Sequence, residues 1–203
     1  MGEDCHLGSA RGAHFYQDYV LTISAQAVNS LPGTSGTLAG PTVTFGWSAA
    51  TGSVSGYFLH LGTTGVGSMN LLNAAEYPSS TTSVGINNLP VNGGTIYARV
   101  YTGYHGTHLY QDYTFTTAAQ AGLTTPGTSR TLARPTVTFE SSTATGSVNG
   151  YFLHLGTTWV GSENLLNSAE YPAATTSVKV KNLPVNGVTI YARMFTDYNG
   201  KHL

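Results

Sequence analysis

Apolar and polar positions alternate through most of this chain with a period of two, the spacing of a half-buried β-strand. Over residues 41–47 the apolar set is Val43, Phe45 and Trp47, which should point inward. A turn over 50–56 leads to a strand at 57–61, with Tyr57, Leu59 and Leu61 inward and Phe58 and His60 outward. A Gly/Asn/Ser-rich crossing fills 63–80, with a short strand at Leu71-Leu72. Residues 83–87 bury Val84 and Ile86, and 89–93 make a corner. Residues 95–102 then bury Ile96, Ala98 and Val100 and expose Tyr97, Arg99 and Tyr101. After a turn at His105-Gly106 the last strand puts Tyr113 and Phe115 in the core and Tyr110 and Asp112 outside. About seven short strands in about 94 residues define an antiparallel sandwich.

The pattern occurs twice. At an offset of 94, residues 30–109 match 124–203 at 58 of 80 positions, and residues 51–62 recur at 145–156 with one change. The same offset carries His14 onto His108 and His108 onto His202. Residues 14–23 (His-Phe-Tyr-Gln-Asp-Tyr-Val-Leu-Thr-Ile) therefore have the pattern of a last strand with no sandwich before it. The chain reads as a tail and orphan strand (1–23), a first domain (24–120) and a second domain (121–203) without its own last strand. Residues 24–36 and 118–130 are the two equivalent linkers.

Three features give the sandwich a family likeness: Trp47 on the second strand, Tyr57 on the third and the Leu89-Pro90 corner. With them the chain resembles fibronectin type III and related immunoglobulin-like modules, including repeats of secreted bacterial multi-repeat proteins. The resemblance covers nearly everything after residue 13 and implies the fold, not an activity. The second domain departs from it at one core position, where Ser141 stands for Trp47. Losing a core aromatic costs about 3–5 kcal/mol unless the space is refilled. Trp159, in place of Gly65, is the candidate to refill it, and the second domain is expected to be the weaker.

Composition narrows the function. Charged residues make up 8 % and the net charge is −1, so the basic stripe of a nucleic-acid binder is missing. A single cysteine, Cys5, excludes an intramolecular disulfide, and no apolar run is long enough for a membrane-spanning helix. The low-charge, Gly/Thr/Tyr-rich make-up fits an extracellular or cell-surface protein, although residues 1–4 carry no signal-peptide pattern.

The vacancy in the second domain and the orphan strand have matching patterns. A sandwich without its last strand exposes a sheet edge, which templates pairing with another strand. The expected exchange surface comprises Phe15, Gln17, Asp18, Tyr19, Leu21 and Ile23 on the donor side and Ile190 and Arg193 on the acceptor side. Arg99 should face Asp112 across neighbouring strands, so Arg193 should face Asp18. Three geometries are open: entry head to tail into the second domain of another copy, reciprocal exchange between two chains, and closure onto the second domain of the same chain; the alternative to all three is a truncated segment with a disordered N-terminus. The 13 residues of 24–36 reach about 45 Å when extended, which leaves closure within the chain possible.

A second candidate surface is the outer face of one sheet: Phe58, His60, Tyr97, Arg99, Tyr101, Tyr110 and Asp112, repeated as Phe152, His154, Tyr191, Arg193 and Phe195. Aromatics beside an arginine suit a glycan or a packing partner, and they equally suit ordinary cross-strand pairing. That gives the alternative of a carbohydrate-binding or spacer module of a larger secreted enzyme or adhesin. Catalysis and metal binding find little support. His105 and His108 are not repeated as a pair, no cluster has zinc-ligand spacing, and Gly52-Ser53-Val54-Ser55-Gly56 lacks a central serine. Glu76 and Glu170 are lone carboxylates, short of a glycosidase pair. No catalytic residue, metal ligand or cofactor is expected, a small hydrolase with an unrecognised site being the remaining, third reading; a homo-oligomer formed by strand exchange is expected.

Overall fold

The computed structural model describes residues 20–127 and 130–203. Phe15, Gln17, Asp18 and Tyr19 of the expected donor strand lie outside these residues. No helix long and apolar enough to cross a membrane occurs among the described residues.

The first sandwich is built from two sheets. β1 (Asn29–Leu31), β3 (Val43–Trp47) and β7 (Ser83–Ile86) form one, in the order β1-β3-β7. The other contains β2 (Ser35–Thr37), β4 (Gly56–Gly62), β5 (Leu72–Asn73), β6 (Tyr77–Pro78), β8 (Thr95–Tyr104) and β9 (Thr107–Thr116), in the order β2-β9-β8-β4-β5 with β6 also on β4. All of these pairings are antiparallel except β2 with β9. The β8–β9 hairpin closes on His105 and Gly106, both at positive φ (40° and 93°), as a two-residue turn matching strand twist demands.

The core lies where the alternation puts it. Val43, Phe45, Trp47, Tyr57, Leu59, Leu61, Ile96, Ala98, Val100, Tyr113 and Phe115 are all buried. Phe45 meets Phe115 edge-on at 5.7 Å, and Trp47 packs on Tyr57 and Tyr77 at 5.7 and 6.1 Å. The expected linker 24–36 is shorter than its pattern suggests, because it contains β1 and β2. Each is three residues of mixed Asn, Ser, Gly, Thr and Leu with no alternation of its own. They are strands because β3 and β9 offer edges to pair with. The second linker likewise contains β10 (Leu123–Thr125).

The second sandwich repeats this frame with β10, β11 (Val137–Ser141) and β15 (Ser177–Val180) in one sheet. Its other sheet holds β12 (Gly150–Gly156), β13 (Leu166–Asn167), β14 (Tyr171–Pro172), β16 (Tyr191–Tyr198) and β17 (Lys201–His202), ordered β13-β12-β16-β17 with β14 also on β12. Trp159 does not refill the Trp47 position: it is 66 % exposed, on the loop after β12. Met194 does part of that work. It replaces Val100 and lines a cavity of about 20 Å³ beside Ser141, Tyr151 and Tyr171, room for about one water.

The two sandwiches meet pole to pole. The Tyr198 hydroxyl donates to the Ala119 carbonyl (2.7 Å) and contacts that of Thr145 (3.1 Å). Burial, then Tyr151, pushes its pKa up to about 12, so it stays a donor. Its ring lies on Gly40, where a Cβ would come within 3.1 Å of it. The Ser147 amide donates to the Ala39 carbonyl (2.6 Å), and Lys201 Nζ donates to Asn88 Oδ1 (2.9 Å).

Candidate functional site: an open strand edge and an aromatic face

β16 is paired with β12 on one side from Tyr191, opposite Gly156, to Asp197, opposite Gly150. On the other side β17 covers only Asp197 and Tyr198, and Leu203 exchanges two backbone hydrogen bonds with Thr196 (2.9 and 3.1 Å). Leu203 thus occupies the place Leu109 takes opposite Thr102, which is also the place the repeat register assigns to Phe15. From Tyr191 to Phe195 that edge has no strand partner among the described residues. In the first sandwich the same stretch, 97–101, is paired throughout with β9.

The open edge uncovers the core beneath it. Ile96, Ala98 and Val100 are buried at 0, 2 and 1 %, whereas Ile190, Ala192 and Met194 are only partly buried. Among the described residues Phe139, equivalent to Phe45, has no aromatic partner in the place of Phe115, whose register partner is Leu21. Leu21 and Ile23 are outside any strand and 88 and 91 % exposed.

On the outer face of the first sandwich several side chains converge around Arg99. Arg99 lies directly opposite Asp112, and its Nε and Nη2 donate to the two carboxylate oxygens at 2.6 and 2.8 Å. The Asp112 hydrogen bond, with help from Tyr101, holds the guanidinium more firmly protonated than usual. Its Cζ sits 3.9 Å from the Tyr110 ring centre, a close cation–π contact. Phe58, His60, Tyr101 and His108 continue the cluster edge to face, with centroids 4.9 to 6.3 Å apart for the Tyr101–His60, Phe58–His108 and Phe58–Tyr101 pairs. Tyr97, opposite Thr114, and its repeat Tyr191 stand outside these ring contacts among the described residues.

His60 is held below its usual 6.5 by burial and then by the Arg99 charge. A histidine whose folded pKa is depressed binds its proton more readily when unfolded, so stability falls as pH drops through 6.5 toward the folded value. The first sandwich is therefore expected to melt at a lower temperature at pH 5.5 than at pH 7.5. His60→Gln should flatten that difference, measured by calorimetry.

On the second sandwich Arg193 keeps the position of Arg99. A Cβ at Gly161 would lie 2.7 Å from Arg193 Nη1, as one at Gly67 would lie 3.0 Å from Arg99 Nη1. The carboxylate and the tyrosine of the first site both come from β9; here, among the described residues, the Phe195 ring is the aromatic beside Arg193, 5.8 Å from its Cζ. His154 turns its Nδ1 to Glu163 Oε2 at 3.4 Å, and Phe152 stacks obliquely on His202 at 4.4 Å. Together with Phe195, Asn167 and Ser168 these residues line an open cleft of about 260 Å³. The repeat contained the signal for it in the substitutions Met69 to Glu163, Ala74 to Ser168 and Tyr101 to Phe195. Among the described residues no three His, Cys, Asp or Glu side chains converge as metal ligands.

Sheet order, paired cores and pole-to-pole junction define an all-β protein of two tandem sandwiches of the fibronectin-III-like, immunoglobulin-like kind. No protein-family model matches the chain, and no curated protein matches its sequence. Solved structures similar to it include the FN1–FN3 domains of chicken CNTN1 (12 % identity, TM-score 0.36), matched over 88 % of this chain and 62 % of that one. The fibronectin(III)-like modules of Clostridium thermocellum CbhA match at 12 % identity and TM-score 0.35, over 86 % of this chain and 87 % of theirs. The three N-terminal domains of the bacteriophage RB49 highly immunogenic outer capsid protein match at 8 % identity and TM-score 0.32, over 88 and 66 %. This chain thus spans less than two thirds of the CNTN1 fragment, and its architecture is read from its own strand order.

Proposed function

We propose that the chain is a non-catalytic structural module of the cell surface or extracellular space, assembled by strand exchange. Residues 16–23 of one copy complete the β16 edge of a neighbouring copy. The observation that carries this reading is Arg193: it holds the Arg99 position, and among the described residues no counterpart of the Tyr110 and Asp112 that complete the site in the first sandwich stands beside it. Tyr16 and Asp18 fall on those two positions in the repeat register, and Tyr19 and Leu21 on buried Tyr113 and Phe115. The pair itself is exposed and contributes about 0–1 kcal/mol, so it fixes register rather than strength.

The tether at the start of the first sandwich supports a neighbouring copy over closure within the chain. The Ala25 amide donates to Thr51 Oγ1 (2.7 Å), and its carbonyl accepts from the Thr51 amide (2.9 Å) and the Tyr104 hydroxyl (3.0 Å). In the paired register Thr22 sits opposite Thr189, as Thr116 sits opposite Thr95. Thr189 lies at the far pole of the second sandwich, beyond the lengths of β8 (10 residues) and β16 (8 residues), roughly 60 Å from Ala25 at 3.3–3.4 Å per residue. The three steps from Thr22 to Ala25 reach only about 11 Å.

Asp18→Cys with Arg193→Cys, in a Cys5→Ser background, tests the reading. Facing residues of an antiparallel pair are close enough for a disulfide. Oxidation should give a ladder of chain multimers on a denaturing gel. A cross-link confined to single chains would return the function to a self-closed spacer module, and no cross-link at all would reject strand completion. The cleft at Phe152 and Phe195 favours a second reading, a glycan-binding module. In that case glycan-array binding would be lost on Phe195→Ala.

A further inference from the structure

We infer that the contact between copies does not end with the strand: the free pole of the first sandwich docks on the far pole of the next copy's second sandwich, with Arg134 packed on Tyr104. The inference rests on the strand-exchange reading, which brings these two poles within a three-residue reach of each other.

Both poles already have the shape they take at the internal junction. At that junction the Ala119 amide donates to Thr145 Oγ1 (2.9 Å), the Thr145 amide and the Tyr198 hydroxyl donate to the Ala119 carbonyl (2.9 and 2.7 Å), and the Ala121 amide donates to Thr196 Oγ1 (3.1 Å). The free pole of the first sandwich repeats each bond. Ala25 takes the place of Ala119 against Thr51 and Tyr104, and the Ala27 amide donates to Thr102 Oγ1 (3.0 Å). The receiving pole is repeated as well. Asn88 and Asn182 both have φ of 61°, and Leu89 and Leu183 donate to the carbonyls of Pro41 (2.9 Å) and Pro135 (2.8 Å).

What differs is cover. Tyr198, Gly40 and Pro41 are buried, whereas Tyr104 is only partly buried and Arg134 and Pro135 are exposed. Two preformed, complementary surfaces are thus uncovered at opposite ends of one chain. A contact between different patches at opposite ends is heterologous, so it propagates head to tail into an open filament unless its rotation closes a ring.

One substitution sets the joint between copies apart from the internal one. Gly40 lets the Tyr198 ring lie against the backbone, at a distance where a Cβ would already be tight. Arg134 stands in its place at the far pole. The Tyr104 ring must slide outward there, and a guanidinium over its face offers a cation–π contact in return. The joint between copies is therefore wider than the internal one and gains a charge-dependent contact.

Ser53→Cys with Ala133→Cys, in a Cys5→Ser background, reads the docking directly. These positions correspond to Ser147 and Ala39, whose backbones touch at the internal junction. Oxidation of the full chain should link copies into multimers, and Arg134→Glu, on an exposed side chain, should raise the concentration for half-association about tenfold. Linking through Asp18→Cys and Arg193→Cys without linking through the poles, and with no effect of Arg134→Glu, would overturn pole docking and leave strand exchange standing. Failure of both linkages would remove strand exchange itself.

Discussion

A chain carrying a second copy of residues 16–23 directly after Leu203 is expected to be monomeric, with a more stable second sandwich. Leu203 already pairs with Thr196 as Leu109 pairs with Thr102, so the appended Tyr16 counterpart would continue the ladder at Phe195 without a slip. A slip of one residue would turn Tyr19 and Leu21 counterparts to solvent, and burial of Ile190, Ala192 and Met194 selects against it. The gain in stability comes from covering two large apolar side chains and the partly buried Ile190, Ala192 and Met194 and from completing the β16 ladder, set against the cost of ordering eight residues. A net gain of about 2 kcal/mol would raise the melting temperature of an 80-residue sandwich by roughly 10 °C. Because the added strand is covalently attached, its effective concentration exceeds that of a neighbour's strand, and self-association should disappear. Calorimetry and sedimentation measure the two effects together. An extended chain that still associates, with an unchanged melting temperature, would show that the β16 edge is not the exchange site.

Much of this site was legible before any coordinates, for a physical reason. A two-residue period with one apolar face fixes which side chains point inward, and the two-residue turn at His105-Gly106 fixes the register, so the inward set of the first sandwich and the facing of Arg99 with Asp112 both followed from alternation and hairpin spacing. β1 and β2 were not legible, because three residues cannot show a period and these are drawn from turn formers. They pair because neighbouring edges are available, which is a tertiary fact. Tyr97 was grouped with the aromatic face by parity alone. Parity places a side chain on a face and does not say which rings touch. The tether of Ala25 was hidden in a segment that reads as linker.

The aromatic core of the first sandwich gives the other large effect, and it returns to the one core position where the repeats differ. Trp47→Ser is expected to destabilise the first sandwich by about 3–5 kcal/mol, the usual cost of removing a buried aromatic. Trp47 is 2 % exposed, packs on Tyr57 and Tyr77, and donates its indole N–H to the Thr81 carbonyl at 3.1 Å. The second sandwich tolerates serine at this place with a cavity of only about 20 Å³, which implies that its surroundings have closed in. Trp159 is not the agent, because it points to solvent. Met194, in place of Val100, lines that cavity and packs on the Tyr151 cluster, and its flexible thioether chain is suited to irregular space. Adding Val100→Met to Trp47→Ser should therefore recover about 1–2 kcal/mol, whereas Val100→Met alone should overpack the intact core and cost about 1–3 kcal/mol. That change of sign is a coupling between neighbours that a double-mutant cycle measures directly. Equal effects of Val100→Met with and without Trp47 would mean that the second sandwich absorbs its serine by some other route than methionine.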